Sequence, residues 1–157
     1  MIKDKTILDV CCGGKMFWFD KENPNVLFSD VRKEDHLFND GHLLKVRPDV
    51  IADFRNLPFE NEKFKLVVFD PPHVENLTES SIIRKKYGTL SFDWRTHIRE
   101  GFNEAFRVLE PNGILIFKWN EVKIKVNDVL KLTDIQPLFG HRTSKSGNTI
   151  WLCFMKI

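Results

Sequence analysis

Short apolar runs separated by longer stretches constrain the fold of this chain more than any other feature. In the 157-residue sequence such runs predict β-strands at residues 6–10, 25–29, 50–52, 64–69 and 113–119. The intervening stretches are compatible with helices or loops. Strands spaced in this way are typical of βαβ units, so the pattern predicts an α/β protein built on a parallel sheet.

The remaining elements are predicted from periodicity and turn signals. Apolar residues at helical spacing predict a helix over residues 92–109, with Ser91 as its N-cap and a turn at residues 111–113 behind it. A weaker helix is predicted over 126–132. The apolar run at 149–155 predicts a last strand, and 135–139 a short strand beside it.

Length and charge place the chain in a broad class. A chain of 157 residues with 42% apolar and 29% charged residues fits one domain, which we predict to span residues 1–157 with no separate target-recognition domain. Its three cysteines form neither a disulfide framework nor a metal-ligand pattern, so we expect no metal. No run approaches the ~20 apolar residues that span a bilayer, and the N-terminus lacks a signal-peptide pattern. We therefore expect a cytoplasmic protein with no membrane partner.

A glycine turn follows the first predicted strand. The strand carries Asp9, and Cys11 leads into the pair Gly13-Gly14. Glycine permits a positive φ and a close backbone approach to a ligand, and ligands of open α/β sheets bind beyond the carboxyl ends of the strands. The dinucleotide fingerprint requires a third glycine, which is absent here, and Met16 after Lys15 breaks the phosphate-loop pattern.

Acidic residues also mark the ends of the second and third predicted strands. Asp30 closes the second strand, where an acid can accept hydrogen bonds from ribose hydroxyls. Asp53 follows the third strand and can accept from an adenine amino group, with Phe54 beside the ring. Each acid alone is typical of a solvated strand end. Together with the glycine turn they predict a nucleoside-binding edge.

The fourth strand runs directly into Asp70-Pro71-Pro72-His73. The prolines fix φ and remove two backbone donors, which leaves the Asp70 carboxylate and nearby carbonyls as fixed acceptors. Such a turn is suited to holding an amino group by its N–H bonds. Read alone, it is equally typical of a turn that merely ends a strand.

Taken in order, these features resemble class I S-adenosylmethionine-dependent methyltransferases over nearly the whole chain. The resemblance implies a Rossmann-like, mostly parallel seven-stranded sheet with helices on both faces, and S-adenosyl-L-methionine as the cofactor. The residues that it implies for cofactor binding are Asp9, Cys11, Gly13, Gly14, Asp30, Asp53, Phe54 and Asp70.

The Asp-Pro-Pro-His turn further resembles the Asp/Asn-Pro-Pro-aromatic motif of amino-group methyltransferases, including small DNA methyltransferases of phages and prophages. This implies methyl transfer to an amino nitrogen, most often of adenine or cytosine, with Asp70, Pro71, Pro72 and His73 at the catalytic site. Here His73 replaces the usual Tyr, Phe or Trp, and the chain has no target-recognition region. Sequence-specific recognition of a duplex is therefore in question, and a partner subunit could supply it.

Two basic clusters are candidates for contact with nucleic-acid phosphates. Arg84, Lys85 and Lys86 lie in a predicted substrate-side loop at 74–90, and His141 and Arg142 lie in a polar turn at 141–146. Three alternatives stay open. The acceptor could be a protein glutamine or a small amine, the chain could be a non-catalytic binding protein of the same fold, or it could bind nicotinamide, which the missing glycine disfavours.

Overall fold

The computed structural model describes residues 4–143 and 145–157. Residue 144, in the predicted basic turn, and the first three residues of the predicted domain lie outside these ranges. The elements run in the order β1 (Ile7–Asp9), β2 (Val26–Asp30), β3 (Glu34–Leu37), β4 (Leu43–Val46), β5 (Val50–Ile51), β6 (Phe64–Phe69), α1 (Ile82–Tyr87), α2 (Trp94–Val108), β7 (Leu109–Asn120), α3 (Val126–Leu130), β8 (Phe139–Thr143) and β9 (Thr149–Met155).

Seven of these strands form one sheet in the order β5-β2-β1-β6-β7-β9-β8. The pairs from β5 to β7 are parallel, and β9 runs antiparallel to both β7 and β8. The prediction of a mostly parallel seven-stranded sheet in an α/β fold is thus confirmed. Because parallel strands end at the same edge, the residues that follow β1, β2, β5 and β6 are brought together.

Helix α2 covers one face of this sheet with a cluster of large apolar side chains. Ile98 and Phe102 are fully buried, and the Phe102 ring meets Phe69 of β6 edge-on at 5.8 Å. Full burial of a side chain of this size contributes roughly 1.5–3 kcal/mol. Gly101 permits the close packing, since a Cβ there would lie 2.6 Å from Cζ of Phe69.

The opposite face of β1 and β2 is covered differently. Although helices were expected on both faces, the described segment between β1 and β2 consists of turns. Its Trp18 packs edge-on against Phe28 of β2 at 5.4 Å, and Phe17 packs against Trp151 of β9 at 5.3 Å. Two aromatic rings therefore take the place of a helix along this part of the sheet.

The β3–β4 hairpin, which the sequence did not predict, fills the connection between β2 and β5. Leu44 and Val46 are buried in it, and a Cβ on Gly14 would lie 2.6 Å from Leu44 Cδ1. Gly14 is therefore required for the hairpin to pack against the glycine turn. The short strands alternate weakly and carry charges on their exposed face, so no apolar run marks them.

Several predicted boundaries are wrong. Asp93, not Ser91, is the N-cap of α2, and the Ser91 hydroxyl instead lies 3.1 Å from Nδ1 of His97. Strand β8 begins at Phe139, where the predicted short strand ended, and it includes His141 and Arg142 of the predicted turn. The 74–90 segment is not all loop, because it contains helix α1.

The predicted turn after α2 lies inside β7. The helix ends at Val108 and the strand begins at the next residue, with Asn112 in the left-handed region at φ 63°. The register with β6 shifts there, from Phe64 opposite Leu109 to Leu66 opposite Ile114. The turn signal therefore marks an irregularity within a long strand. None of the helices in the described residues is long and apolar enough to cross a membrane.

Candidate active site

A cleft of about 1040 Å³ runs along the carboxyl edge of the parallel strands. Following the strand order, its lining includes Asp53 after β5, Asp30 at the end of β2, Gly13 after β1, Asp70 after β6 and Lys118 on β7. Its volume is at the upper end of the range of small-molecule sites. The sheet topology thus assembles residues from five separate strands in a single row.

Asp30 holds the glycine turn in place. Its Oδ2 accepts a hydrogen bond from the Gly13 backbone N–H at 2.9 Å, and Oδ1 accepts from the backbone N–H and Nε of Arg32 at 2.9 and 3.2 Å. Gly13 has a φ of 48°, in the left-handed region that favours glycine. Since Asp30 is almost fully buried, these charge-assisted bonds fix the cleft floor.

Asp9 lies beneath this floor rather than in the cleft lining. It is fully buried, its Oδ2 accepts from Nε1 of Trp18 at 2.7 Å, and its Oδ1 has no hydrogen-bond partner among the described residues. Burial raises the pKa of Asp9 to about 7; the Trp18 bond opposes the rise, and the charges of Asp70 and Asp30 add to it. This end of the cleft is therefore electrostatically suited to a cation.

The neighbouring Cys11 lines the cleft but is not a reactive thiol. Burial, followed by the charges of Asp30, Asp9 and Asp70, raises the pKa of Cys11 well above its ordinary value. A thiolate is therefore disfavoured there. Among the described residues, no group of three or more His, Cys, Asp or Glu side chains is placed to hold a metal ion.

The far end of the cleft is formed by Asp53, Phe54 and Arg55. Nε and Nη2 of Arg55 donate to Oδ2 of Asp53 at 3.0 and 2.6 Å, and this pairing lowers the pKa of Asp53. The Phe54 ring packs against Phe69 with its centroid 5.3 Å away. A flat apolar wall beside a fixed carboxylate matches a heteroaromatic ring that carries an amino group.

Asp70 forms an ion pair inside the cleft. The register sets Phe69 of β6 opposite Phe117 of β7, so the next residues are neighbours, and Nζ of Lys118 donates to Oδ2 of Asp70 at 2.8 Å. Burial raises the pKa of Asp70, and the Lys118 ammonium opposes that rise. No described residue donates a hydrogen bond to the other oxygen, Oδ1.

His73 stands in the wall next to this pair. Its ring centroid is 5.9 Å from that of Tyr87 and 6.4 Å from that of Trp119. Burial, and then the Lys118 charge, lowers the pKa of His73, so the imidazole is neutral at pH 7. Trp119 itself is core, because it is buried and its Nε1 donates to the Ile124 carbonyl at 2.9 Å.

The segment that carries α1 forms the outer wall. Nη1 of Arg32 donates to the Lys85 carbonyl at 2.9 Å, which ties this wall to the end of β2. Nη1 of Arg84 donates to the Leu77 carbonyl at 2.7 Å, so this guanidinium is partly used within the wall. Arg84, Lys85 and Lys86 all line the cleft. The other predicted cluster lies elsewhere, as His141 and Arg142 are on the exposed edge strand β8, with Arg142 paired to Glu121.

A second, smaller cleft of about 480 Å³ adjoins the first at Gly14, Met16 and Lys86. Five basic residues, Lys15, Lys21, Lys45, Arg47 and Lys86, line it against one carboxylate, that of Glu22. The whole chain carries a net charge of only +2, so this concentration of positive charge is local. It depends on the β3–β4 hairpin, which supplies Lys45.

Sequence reasoning missed Lys118 and Arg32 as site residues. Lys118 was visible as a basic residue near the end of the apolar run of β7, in a position that faces the opposite side from the buried Phe117 and Trp119. Arg32 lies two residues after Asp30, within reach of its own strand end. The partner of Lys118, by contrast, is revealed only once the strand order is known.

The sequence matches no protein-family model and no curated protein. Solved structures do match. The PH0226 protein of Pyrococcus horikoshii is 14% identical at a TM-score of 0.65, covering 100% of this chain and 84% of that one. A SAM-dependent methyltransferase of Methanosarcina mazei is 10% identical at a TM-score of 0.57, covering 99% and 93%.

Two further matches name a ligand or a partner. The geranyl diphosphate C-methyltransferase of Streptomyces coelicolor, solved with S-adenosyl-L-homocysteine, is 11% identical at a TM-score of 0.57 and covers 99% and 72% of the two chains. A methyltransferase of Haloferax volcanii, solved with the Trm112 activator, is 9% identical at 0.56 and covers 98% and 83%.

These similarities define the fold: the chain has the α/β fold of SAM-dependent methyltransferases. Identity at this level shows the fold alone, and among the matches described above only the geranyl diphosphate enzyme has a named acceptor. Activity, cofactor and acceptor therefore have to be argued from the site.

Proposed function

We propose that this protein is an S-adenosylmethionine-dependent methyltransferase and that its acceptor is the amino nitrogen of adenine or cytosine in a nucleic acid. One observation carries the proposal: the Asp70 carboxylate, rigidly placed by Pro71 and Pro72, faces the same cleft as the glycine turn and the strand-end acids Asp30 and Asp53. Methyl donor and acceptor amine would thus meet at one edge of the sheet.

The residues present fit the cofactor. The buried, partly unpaired Asp9 and the neighbouring carboxylates favour a ligand with positive charge, as a sulfonium and an amino acid ammonium provide. Gly13, Gly14 and Cys11 would border the amino acid portion, Asp30 the ribose, and Asp53 with Phe54 the adenine. When bound, the cofactor supplies an electrophilic methyl group.

The protein's own contribution is positioning. Oδ1 of Asp70 would accept one N–H of the acceptor and the Pro71 carbonyl the other, which directs the nitrogen lone pair along the line of attack. Alignment of this kind can lower a barrier by about 7–11 kcal/mol in the best cases. No strong base is needed, since the methylated nitrogen becomes acidic and loses its proton to solvent.

Charge and ring chemistry support a nucleic-acid acceptor. Lys85 and Lys86 line the outer wall, and the basic second cleft continues from the first at Lys86. Such a path suits phosphates on either side of a target base, and neutral His73 offers a ring for a base to stack on. The geranyl diphosphate enzyme acts on a small molecule, so a small amine or a protein glutamine remains the alternative acceptor.

A partner subunit is compatible with this proposal. The Haloferax volcanii methyltransferase is solved as a complex with an activator. We infer that target recognition beyond the two clefts could come from a second protein, and co-purification from the native source tests this. A single species at the mass of one chain, with full activity, would contradict it.

Two experiments test the proposed function. The first compares melting shifts with S-adenosylhomocysteine and with NAD; a ligand at 100 times its Kd adds about 2.7 kcal/mol, and we expect this only for the former. The second supplies labelled S-adenosylmethionine with duplex DNA, single-stranded DNA, RNA or protein extract. Label in a nucleic-acid pool supports the proposal, and label confined to protein supports the alternative. Cofactor binding without label in any pool would indicate a non-catalytic protein.

A further inference from the structure

Lys118 is a charged residue at the acceptor site to which the proposed function gives no role. Its Nζ lies 2.8 Å from Oδ2 of Asp70, and the side chains of Lys118 and Asp70 are only 24% and 19% exposed. The ammonium also lies 5.4 Å from the Phe17 ring centroid and 5.5 Å from that of Trp151. A carboxylate and two ring faces therefore fix this charge in one place.

The other ionisable groups near Asp70 do not duplicate this charge. Asp9 is a buried acid, Cys11 is a protonated thiol and His73 is a neutral imidazole, so none of the three carries a positive charge. Lys118 is the cation whose charge opposes the effect of burial on Asp70. It therefore favours the ionised form of Asp70 against the effect of burial.

We propose that Lys118 is the positioning and specificity-determining residue of the acceptor site. It occupies one oxygen of Asp70, leaves the other for a single N–H of the acceptor, and restricts the acceptor to an amino group that is uncharged at neutral pH. The exocyclic amine of a nucleobase and a carboxamide meet this condition, whereas an aliphatic amine does not. The inference rests on the proposed function and narrows its acceptor class.

The physical reason is that a desolvated cation would find little compensating charge in this poorly solvated site. An aliphatic amine has a pKa of ~10.4 and carries a proton at pH 7, so it would have to give up its hydration there as a cation. Asp70 does not compensate, because its charge is already paired. A protonated amine also lacks the lone pair that the reaction needs. An arylamine or an amide has no such charge, and donates an N–H to Oδ1 of Asp70.

The test compares Lys118→Met, which keeps an unbranched apolar stem, with Lys118→Arg, which keeps the charge. Lys65→Met is the matched control, since it makes the same substitution on an exposed residue of β6. Methyl transfer is measured from pH 6 to 9 on an oligonucleotide containing all four bases and, separately, on spermidine. S-adenosylhomocysteine affinity and melting temperature are measured for every variant.

We expect wild type to methylate the oligonucleotide and not spermidine. Lys118→Met should lose at least tenfold in kcat at pH 6–7 and regain activity as pH rises, because the unpaired Asp70 ionises only at higher pH. Lys118→Arg should keep the shape of the wild-type pH profile, and Lys65→Met should keep both its shape and its height. A merely structural role would lower activity at every pH alike. Spermidine methylation by wild type, or an unchanged Lys118→Met profile, overturns the inference.

A second measurement separates this inference from the proposed function. The Asp70 carboxyl is followed by ¹³C NMR through a pH titration of the S-adenosylhomocysteine complex. We expect Asp70 to ionise at higher pH in Lys118→Met than in wild type. If wild type methylates neither acceptor, the proposed function and the acceptor restriction fail, and the titration alone decides whether Lys118 positions Asp70. Identical titration curves would overturn that role.

Discussion

The two ends of the cleft differ in how their carboxylates are held. At the end formed by β1, β2 and β5, Asp30 and Asp53 receive hydrogen bonds from the Gly13 amide and from arginines close in sequence. At the end formed by β6 and β7, Asp70 pairs with Lys118 on a distant strand, and no other described residue donates a hydrogen bond to its carboxylate. The hydrogen bonds at the first end hold its shape. At the second end, one carboxylate oxygen of Asp70 can still accept a hydrogen bond from another molecule.

This contrast predicts that substitutions at the two ends separate binding from turnover. Asp70→Ala should lower methyl transfer by about 10²–10³-fold or more, the scale for removing one preorganised hydrogen-bonding group. Asp70→Asn keeps an acceptor oxygen and should lose less. The measurement is kcat beside the S-adenosylhomocysteine Kd. If the S-adenosylhomocysteine Kd rises by the same factor as kcat falls, Asp70 contributes to cofactor binding. The proposed difference between the two ends of the cleft would then be wrong.

Asp9 should make stability depend on pH. Its pKa is raised to about 7, so the folded state takes up a proton that the unfolded chain does not bind until lower pH. Stability should therefore rise as pH falls from 7 towards 4, by up to about 4 kcal/mol.

His73 works in the opposite direction, since its lowered pKa removes stability as pH falls below about 6.5. Asp9→Asn isolates the Asp9 contribution because it leaves His73 in place. The measurement is urea unfolding at pH 5 and pH 8 for wild type and variant. A pH dependence that is the same in both proteins would show that Asp9 is not the titrating group.

Asp30→Ala tests the rigid end directly. The substitution removes the acceptor for the Gly13 amide and for Arg32, and charge-assisted bonds of this kind are each worth about 1.5–3 kcal/mol. We expect S-adenosylhomocysteine affinity to fall by about 10–100-fold, with kcat at saturating cofactor changed much less. Asp53→Ala, which removes a more exposed acid, is the comparison and should have the smaller effect.

The smallest expected effect concerns the outer wall. If Lys85 and Lys86 each contact a phosphate, replacing both with Gln should reduce the slope of log K against log salt by about 1.4–1.8. The control is the pair Lys63→Gln and Lys65→Gln, which changes the charge equally away from the cleft. Equal slopes in the two double variants would show that Lys85 and Lys86 do not contact nucleic-acid phosphates.

The sequence predicted the rigid end better than the open end. Asp30 ends β2 and Gly13 lies in the turn after β1, so local patterns sufficed to mark both residues. The Asp70–Lys118 pair depends on β6 lying next to β7, which joins residues 48 positions apart. The hairpin was missed because Leu44 and Val46 alternate over too few residues to mark strands.

Position within the fold also explains which predicted site residues lie outside the cleft lining. Asp9 was predicted at the cofactor; its side chain is fully buried and hydrogen-bonded to Trp18, so it lies behind the cleft lining and is not part of it. His141 and Arg142 were predicted at the substrate, yet the antiparallel pairing of β8 with β9 carries them to the edge of the sheet. Strand order cannot be deduced from the basic cluster itself.

The most direct test of the central claim identifies the methylated atom. Nucleic acid labelled by the wild-type protein is digested to nucleosides, and the position of the methyl group is determined by mass spectrometry against standards. We predict methyl on the exocyclic nitrogen of adenine or cytosine, and about 10²–10³-fold less of it, or lower still, after incubation with Asp70→Ala. Methyl on a ring carbon or a ribose oxygen, or equal label from Asp70→Ala, would contradict this prediction.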